Sequence, residues 1–407
     1  MRTIGQHRDE IAALLAPVLA LLRDEPPQQR ELDDLATGAG VGARVLARPV
    51  TTPVALPPFD NAQMDGFAVR TADAGRTVGV GAPVAAGAVP EPLAADSAVP
   101  IMTGARIPAG ADAVFPVERT EPGSFPAALA LERVVVPPDL RAGTFVRATG
   151  SDLASGAELA PAGARITPAL LGTLASAGVT TVDVVRPLRV LVVSTGSELQ
   201  GAGDATIGDA NGIALRAALA EVGADSRVVR VPDDPAAFLT ALDQGVGDWS
   251  DLVLTTGGIS AGAYEVVRQA LEPRGLRVTP VAMQPGGPQA SGTVHLAGRP
   301  VPVVSFPGNP VSALVSFEVF LRPVLARAVG LPGDRPTEVL PAADTATSPA
   351  GKHQVRRGRV QDGRVHFVGG PSSHLLAHYA TATHLVHVPI GTEDVAPGDP
   401  LTVWSLR

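Results

Sequence analysis

The chain has 407 residues, 45% of them apolar, with 44 Gly and 39 Pro, a composition that predicts several packed domains rich in turns and excludes a disordered protein. The net charge of −8, without a basic block, argues against a nucleic-acid surface. There is no Cys, so disulfides, thiolate metal sites and thiol nucleophiles are excluded.

The first predicted element is a helical region that extends from the N-terminus to about residue 45, in which Ile11, Leu15 and Leu22 recur at helical spacing. The residues before Ile11 mix acidic and basic side chains, and no small-residue cleavage site follows. This pattern favours an amphipathic helix over a signal peptide. No stretch approaches the roughly 20 apolar residues that span a bilayer. A cytoplasmic protein is therefore expected.

The next feature is a loop, PPFDNAQMDGFAVR, which presents the carboxylates of Asp60 and Asp65. The two prolines fix the approach of the backbone, while Asn61 and Gly66 tolerate unusual backbone angles. Taken alone, the loop fits a ligand site and a structural turn equally well. Short apolar segments broken by Gly and Pro follow it to about residue 150, which predicts a small β-domain.

From about residue 186 to 330 the pattern changes to that of a doubly wound α/β domain. Its apolar strands LRVLVVST, SDLVLTTG and RPVPVVSFPG each end in a loop of small residues, and helical stretches follow them. Ligands of such domains bind beyond the carboxyl ends of the strands. After Pro332, alternating segments predict a small terminal β-domain.

Two of these strand-end loops have the features of an anion site. TTGGISAG combines glycines that allow close approach with hydroxyl groups, which suits a phosphate, although a tight turn explains it as well. In SFPGNPVS, Asn309 is a predicted helix N-cap and Pro310 the first helical residue, so free N–H groups would face the same crevice. Helix capping alone is the alternative interpretation.

Charged side chains gather near these loops. Several carboxylates beside a phosphate site indicate a divalent cation such as Mg²⁺, although each alone fits a cap or turn. They are Glu198, Asp209, Asp233, Asp234 and Glu265. Arg356, Arg357 and Arg359 fit either an oxyanion site or a solvated strand edge.

Six strings, in this order and at these distances, resemble the MoeA family of molybdopterin molybdenumtransferases over nearly the whole chain. They are FDNAQMDGFAV, IMTGARIPAGADAV, VVSTGSEL, VPDDP, LVLTTGGISAG and FPGNPVSAL. The resemblance implies a homodimer and four domains per chain. These are an N-terminal helical and linker domain (1–50 and 146–185), an inserted small β-domain (51–145), a molybdopterin-binding α/β domain (186–330) and a C-terminal β-barrel (331–407).

The activity implied by the resemblance is hydrolysis of adenylylated molybdopterin with insertion of molybdate, assisted by Mg²⁺, to give molybdenum cofactor and AMP. The implied protein partners are the molybdopterin adenylyltransferase and apo-molybdoenzymes. The implied catalytic residues are Asp60, Glu198, Asp233 and Glu265, with Asp60, Glu198 and Glu265 as metal ligands. The implied binding residues are Thr103, Asp152, Thr195, Gly196, Gly257, Gly258, Ser260, Gly262, Pro307, Gly308, Asn309, Arg357 and Ser373.

One segment departs from the family pattern. Where the family commonly has a string of the form KxxxKPGKP, this chain has PVAMQPGGP, so Pro280, Gln284 and Gly287 stand in place of cations. Lys352 is the one lysine of the chain, and none of the three positions was replaced by Arg, which indicates a loss of charge. Three hypotheses follow: an active transferase, a divergent paralogue that binds pterin nucleotide but inserts metal poorly, and a non-catalytic scaffold dimer. In the first, the missing charge is supplied by Arg277, Arg356, Arg357 or Arg359.

Overall fold

The computed structural model describes residues 1–37, 43–121, 123–199, 207–259 and 265–406, except for the side chain of Glu198. The chain divides into two compact units. The first comprises Met1–Arg48, Gly163–Thr167 and Asp183–Arg407, and the second comprises Pro49–Ala162 and Pro168–Val182. No helix in the described ranges is long and apolar enough to cross a membrane.

The helices and strands are numbered here along the whole chain. The helices are α1 (Ile4–Asp24), α2 (Leu32–Thr37), α3 (Phe125–Ala128), α4 (Pro168–Ser176), α5 (Ala210–Glu221), α6 (Pro235–Val246), α7 (Val266–Leu271), α8 (Pro310–Ser316), α9 (Arg322–Ala328) and α10 (Leu376–Thr381). The strands are β1 (Gln28–Glu31), β2 (Val50–Thr51), β3 (Asn61–Ala62), β4 (Gly66–Val69), β5 (Thr77–Val80), β6 (Ser97–Ile101), β7 (Ala113–Pro116), β8 (Arg133–Val135), β9 (Val146–Arg147), β10 (Glu158–Ala160), β11 (Thr181–Val184), β12 (Arg189–Thr195), β13 (Asp225–Val231), β14 (Leu252–Thr256), β15 (Arg277–Pro280), β16 (Met283–Gln284), β17 (Pro288–Leu296), β18 (Arg299–Phe306), β19 (Thr337–Pro341), β20 (Ala346–Thr347), β21 (His353–Gln361), β22 (Arg364–Phe367), β23 (His384–Val388), β24 (Asp394–Val395) and β25 (Pro400–Ser405).

The centre of the first unit is a mixed sheet with the strand order β13-β12-β14-β18-β17-β15. The first four strands of this order are parallel, and β17 and β15 are antiparallel to their neighbours. Alternate residues of β12 point to opposite faces, so Val190 and Val192 join one core while Leu191 and Val193 join the other. Burial on both faces is typical of parallel strands covered by helices. The predicted α/β organisation is confirmed.

The carboxyl ends of β12, β14 and β18 meet at one edge of this sheet. The register pairs Ser194 of β12 with Thr256 of β14, and Thr256 with Phe306 of β18. The loops that follow these strands therefore start side by side, as the sequence predicts.

The N-terminal helix α1 begins at a capping box, in which the side chains of Thr3 and Gln6 each accept a hydrogen bond from the other's backbone N–H. Its residues Ile11, Leu15 and Leu22 belong to the core on one face of the central sheet. The helix is shorter than the sequence prediction of about 45 residues, because Pro26 follows its last turn closely and cannot continue the hydrogen-bonding pattern. Strand β1 and the short helix α2 follow instead.

Two further sheets have five or more strands. In the first unit, β16 and the C-terminal strands form a sheet in the order β16-β21-β23-β25-β19, with β22 paired to β21. In the second unit, short strands form a sheet in the order β7-β4-β6-β5-β8 around a core in which the rings of Phe67 and Phe115 stack 5.4 Å apart. Short strands are what the sequence predicts for both regions.

Candidate active site

A cavity of about 590 Å³, called here the strand-end cavity, lies at the carboxyl ends of β12 and β14 in the first unit. Its lining residues are Ser194, Thr195, Gly196, Leu199, Ile207, Gly208, Asp209, Ala210, Asn211, Asp233, Thr256, Gly257, Gly258, Ile259, Glu265, Gly308, Asn309, Pro310 and His374. This set contains many of the sequence-predicted binding residues. Ser260 and Gly262, which were also predicted, lie outside the described residues.

Close backbone packing shapes the floor of the strand-end cavity. Gly257 has a φ of +92°, and a Cβ atom on it would lie 2.6 Å from Oγ1 of Thr195. A Cβ atom on Gly308 would lie 3.2 Å from Cα of Gly257. Only glycine fits both requirements at position 257. The glycine pair thus brings the backbones of two strand-end loops into direct contact beside the cavity.

Asn211, at the start of α5, ties two of the strand-end loops together. Its Nδ2 donates to Oγ1 of Thr256 at 2.8 Å and to the carbonyl oxygen of Gly308 at 2.7 Å. Neighbouring Asp209 caps α5 by accepting from the N–H of Gly212 at 2.8 Å, and it lies 3.1 Å from Nε of Arg230. Asp209 is buried and structural in character, while Asn211 fixes the cavity wall. The sequence draws attention to Asp209 and Asn211, but no local pattern predicts the hydrogen bonds of Asn211 to Thr256 and Gly308.

Two of the predicted catalytic carboxylates, Asp233 and Glu265, line the strand-end cavity. Asp233 accepts hydrogen bonds from the N–H of Ser197 at 3.0 Å and from its hydroxyl at 3.3 Å. Glu265 is the N-cap residue of α7, and its side chain makes no capping hydrogen bond. The side chain of the third, Glu198, is outside the described residues. Asp234, the alternative next to Asp233, caps α6 through the N–H of Ala237 at 2.7 Å.

The donor set of the strand-end cavity fits Mg²⁺ bound through water and substrate. The described residues contain no cluster of three or more metal-ligating side chains. Mg²⁺ needs no such cluster, since proteins commonly hold it through one or two carboxylates together with substrate phosphates. Asp233 and Glu265 are hard oxygen donors of this kind beside a glycine-rich loop.

A second cavity of about 430 Å³, called here the neighbouring cavity, shares Ile259, Gly308 and Asn309 with the first. Its remaining lining residues are Gln284, Pro285, Gly286, Pro288, Pro307, Ser312, Pro371, Ser372 and Ser373. None of these described lining residues is charged. The segment that lacks the family's lysines therefore forms one wall of a neutral cavity.

Amide side chains hold that wall in place. Oε1 of Gln284 accepts from Nε2 of Gln354 at 2.7 Å. Nε2 of the buried Gln289 donates to the carbonyl oxygen of Gly286 and to Oγ of Ser316, both at 2.7 Å. The wall thus offers hydroxyl, amide and backbone groups to a ligand.

Arg357, predicted to contact an oxyanion, lies behind the opposite wall and lines neither cavity. Its side chain is 1% exposed. Its guanidinium donates to the carbonyl oxygens of Ser372 at 3.2 Å and Val368 at 3.4 Å, and also to that of Gly370. Burial lowers the pKa of Arg357. Arg357 therefore holds the loop that carries Ser372 and Ser373.

The other three arginines considered as sources of charge also lie outside the linings of both cavities. Arg356 donates to the carbonyl oxygen of Gly369 at 3.1 Å and stacks over Phe367, and Arg359 donates to that of Thr381 at 2.9 Å. Arg277 is an exposed residue of β15.

His374 lies where the two cavities meet. It lines the strand-end cavity, while its neighbours Ser372 and Ser373 line the neighbouring cavity. Oγ of Ser372 is 2.7 Å from Nδ1 of His374. Ser373 is among the binding residues that the family resemblance implies, but its neighbours Ser372 and His374 are not. The available sequence signal was a serine, Ser372, two residues before a histidine, His374.

The remaining predicted site residues belong to the second unit. Oδ1 of Asp60 accepts hydrogen bonds from the backbone N–H and the hydroxyl of Thr149, both at 2.7 Å. The bond from the backbone N–H has the larger effect and the bond from the hydroxyl the smaller, and both lower the pKa of Asp60. Oδ1 of Asp65 accepts from the N–H of Thr103 at 2.7 Å and its hydroxyl at 2.8 Å. The N–H of Asp152 donates to the carbonyl oxygen of Leu56 at 3.0 Å. Asp60 and Asp65 thus fix their loops in the same way.

Comparisons with known proteins agree over most of the chain. Residues 3–178 match the region described as "MoeA N-terminal region (domain I and II)", and residues 191–327 match a "Probable molybdopterin binding domain". The chain is 41% identical over 396 residues to molybdopterin molybdenumtransferase 2 of Mycobacterium tuberculosis (strain CDC 1551 / Oshkosh), covering 89% of this chain and 92% of the relative. It is 33% identical over 385 residues to the molybdopterin molybdenumtransferase of Synechococcus elongatus, covering 90% and 92%. A solved structure of a molybdopterin biosynthesis MoeA protein from Pyrococcus horikosii matches with a TM-score of 0.71 and 26% identity, covering 97% of this chain and 98% of that one.

Proposed function

The chain belongs to the MoeA family, and from this premise we propose that the strand-end cavity is where it carries out the reaction of a molybdopterin molybdenumtransferase. In that reaction adenylylated molybdopterin is hydrolysed, molybdate is inserted into the dithiolene, and AMP is released. The observation that carries the proposal is the glycine-floored cavity, which lies largely within the segment matched as a probable molybdopterin binding domain. Two carboxylates, Asp233 and Glu265, lie at its edge.

The phosphates are best accommodated by the backbone. The N–H groups of Gly258, Gly308 and Asn309 would hold phosphate oxygens, and the Asn211 amide keeps the two loops at a fixed separation. Thr195 and Gly196 would complete this contact at the end of β12.

Asp233 and Glu265 are the described residues that would hold Mg²⁺ near the phosphoanhydride. A bound Mg²⁺ supplies electrostatic stabilisation of the charge that develops on the phosphate oxygens. We assign Glu198, Ser260 and Gly262 to the same site on the resemblance alone. On that basis too, Asp60 is assigned as a catalytic residue and metal ligand, and Thr103 and Asp152 are assigned to substrate contacts.

Molybdate is best accommodated in the neighbouring cavity. Ser373, Ser312 and the amide of Gln284 would donate directly, with Pro307 forming part of the wall. Arg357 contributes positive charge from behind the loop, because its guanidinium donates to three carbonyl oxygens and, among the described residues, to no carboxylate. The absence of lining charge predicts weaker binding of molybdate than a lysine-lined site would give.

We extend the proposal to the organisation of the protein. The proposed domains are an N-terminal helical and linker domain (1–50 with 146–185), an inserted β-domain (51–145), the molybdopterin-binding α/β domain (186–330) and a C-terminal β-barrel (331–407). The working form is a homodimer in the cytoplasm. It would receive its substrate from the molybdopterin adenylyltransferase and pass its product to apo-molybdoenzymes. These assignments rest on the family resemblance.

The test is to incubate the purified protein with adenylylated molybdopterin, Mg²⁺ and molybdate, and to measure AMP release and reconstitution of an apo-molybdoenzyme. Both products are expected. The absence of AMP above a blank without protein would overturn the proposal. AMP release without reconstitution would instead select the divergent paralogue, for which the neutral neighbouring cavity is the supporting observation.

A further inference from the structure

We propose that His374, oriented by Ser372, is a proton-transfer residue that moves protons from the thiols of the substrate to the departing oxygen of the oxyanion. The inference rests on the proposed function. Its starting point is the position of the pair: His374 lines the strand-end cavity, Ser372 lines the neighbouring cavity, and the two side chains are 2.7 Å apart. The pair therefore connects the space assigned to the pterin with the space assigned to molybdate.

The chemistry of insertion requires such a transfer. For a dithiol R(SH)₂ the balanced step is R(SH)₂ + MoO₄²⁻ → [R(S₂)MoO₃]²⁻ + H₂O. Two Mo–S bonds form, two S–H bonds break and one Mo–O bond breaks, while molybdenum keeps its oxidation state. The oxide ligand leaves as water only when it takes up both protons that the sulfurs lose. Imidazole accepts and donates protons near neutral pH, so it suits this task.

The backbone around the pair is held from two sides, which keeps its side chains in place. Arg357 donates to the carbonyl oxygen of Ser372 at 3.2 Å, and the N–H of Val311 donates to the carbonyl oxygen of Ser373 at 3.1 Å. The carbonyl oxygen of His374 accepts from the N–H of Leu376 at 2.9 Å. Ser372 bonds one ring nitrogen, which leaves Nε2 as the atom that would exchange protons with the substrate.

The charged side chains lining the strand-end cavity in the described ranges are those of Asp209, Asp233 and Glu265. Asp209 is paired with Arg230 and caps α5, and Asp233 accepts from Ser197. His374 is the imidazole among the described lining residues. The assignment of proton transfer to His374 therefore leaves Asp233 and Glu265 for the phosphate end of the substrate.

The experiment compares insertion of molybdenum by the wild-type protein with that by His374→Ala, His374→Gln and Ser372→Ala, using adenylylated molybdopterin and molybdate. We expect kcat for insertion to fall about 100-fold in both His374 variants, in line with the usual contribution of an acid–base residue. The molybdate concentration for half-maximal rate should change less than about twofold, because His374 moves protons and does not hold the oxyanion. Added imidazole should restore part of the rate of His374→Ala. Ser372→Ala should show a smaller loss than either.

The matched control is His295→Ala, which removes an exposed imidazole from β17, outside the linings of both cavities, and should leave the rate unchanged. Unfolding in urea verifies that each variant is folded. Wild-type kcat in His374→Gln would overturn the inference while the proposed function stands. A slow His374→Ala variant that imidazole does not restore would also overturn it. A wild-type protein that releases no AMP would remove the proposed function and this inference together.

Discussion

Gly257 and Gly298 have similar backbone conformations but very different surroundings. Both lie in the left-handed region, with φ of +92° and +77°. A Cβ atom on Gly257 would be 2.6 Å from Oγ1 of Thr195 and 3.1 Å from its carbonyl oxygen, whereas a Cβ atom on Gly298 would meet nothing within 4 Å. Comparing alanine variants at the two positions therefore separates two losses of unfolding free energy. One comes from placing alanine in a left-handed conformation, and the other from losing a close backbone approach.

The prediction for Gly257→Ala follows from this difference. Both alanine variants should lose about 1–2 kcal/mol of unfolding free energy from the left-handed conformation. Gly257→Ala should lose more, and its AMP release should fall at least about tenfold, because the loop must move away from Thr195 and widen the phosphate contact. Urea unfolding and the AMP assay measure the two effects. Equal stability and equal activity of the two variants would show that the close approach has no role.

At the scale of elements, α1 carries an ionisable side chain into the core. His7 is 0% exposed, its ring meets that of Phe320 edge-on at 4.8 Å, and neither ring nitrogen has a hydrogen-bond partner among the described residues. Burial, and then the positive charge of Arg2, lower the pKa of His7 from 6.5 to about 4. The folded state therefore favours the neutral imidazole of His7 over its protonated form.

The consequence is a dependence of stability on pH. The pKa of His7 is lower in the folded state than in the unfolded state. The contribution of neutral His7 to the free energy of unfolding is therefore complete above pH 6.5 and is lost as the pH falls toward about 4. At about pH 5 the loss is about 2 kcal/mol. Replacing His7 by Phe removes this titration, so the stability of the variant relative to wild type should rise by that amount between about pH 7.5 and pH 5.

Urea midpoints at the two pH values measure the effect, with His295→Gln as an exposed control that keeps the wild-type dependence. Burial also lowers the pKa of His387, to about 3, so part of the acid sensitivity should remain in His7→Phe. A constant difference between His7→Phe and wild type at both pH values would contradict the assignment.

The central sheet and its strand-end loops were predictable from the sequence, because apolar runs ending in glycine and proline are local signals. The start of α8, with Asn309 at the N-cap position and Pro310 as the first helical residue, was predictable for the same reason, although the Asn309 side chain makes no capping hydrogen bond. The side-chain network was not, because its partners are remote in the chain: Asn211 bonds Gly308 across 97 residues, and Gln284 bonds Gln354 across 70. The position of His374 at the junction of two cavities depends on such contacts as well.

At the scale of the whole molecule, an acidic protein with a net charge of −8 is assigned a doubly charged oxyanion as substrate. The neighbouring cavity offers no lining charge in the described residues to offset this repulsion. Gly287 is a position where charge can be restored. A Cβ atom there would be 3.4 Å from the carbonyl oxygen of Met283 and 3.5 Å from that of Val281, which are ordinary contacts, and its φ is not left-handed.

Gly287→Lys is therefore expected to lower the molybdate concentration for half-maximal insertion by roughly three- to tenfold at low salt, which corresponds to about 1 kcal/mol from one partly screened charge. Gly287→Gln has a side chain of similar length without the charge, and it should behave as wild type. Raising the ionic strength to about 0.15 M should shrink the advantage of the lysine, because an exposed charge is screened over about 8 Å. An equal gain from Gln and Lys would mean that side-chain length, and not charge, limits the site. A lysine variant with no gain at any salt concentration would show that molybdate does not bind beside this segment.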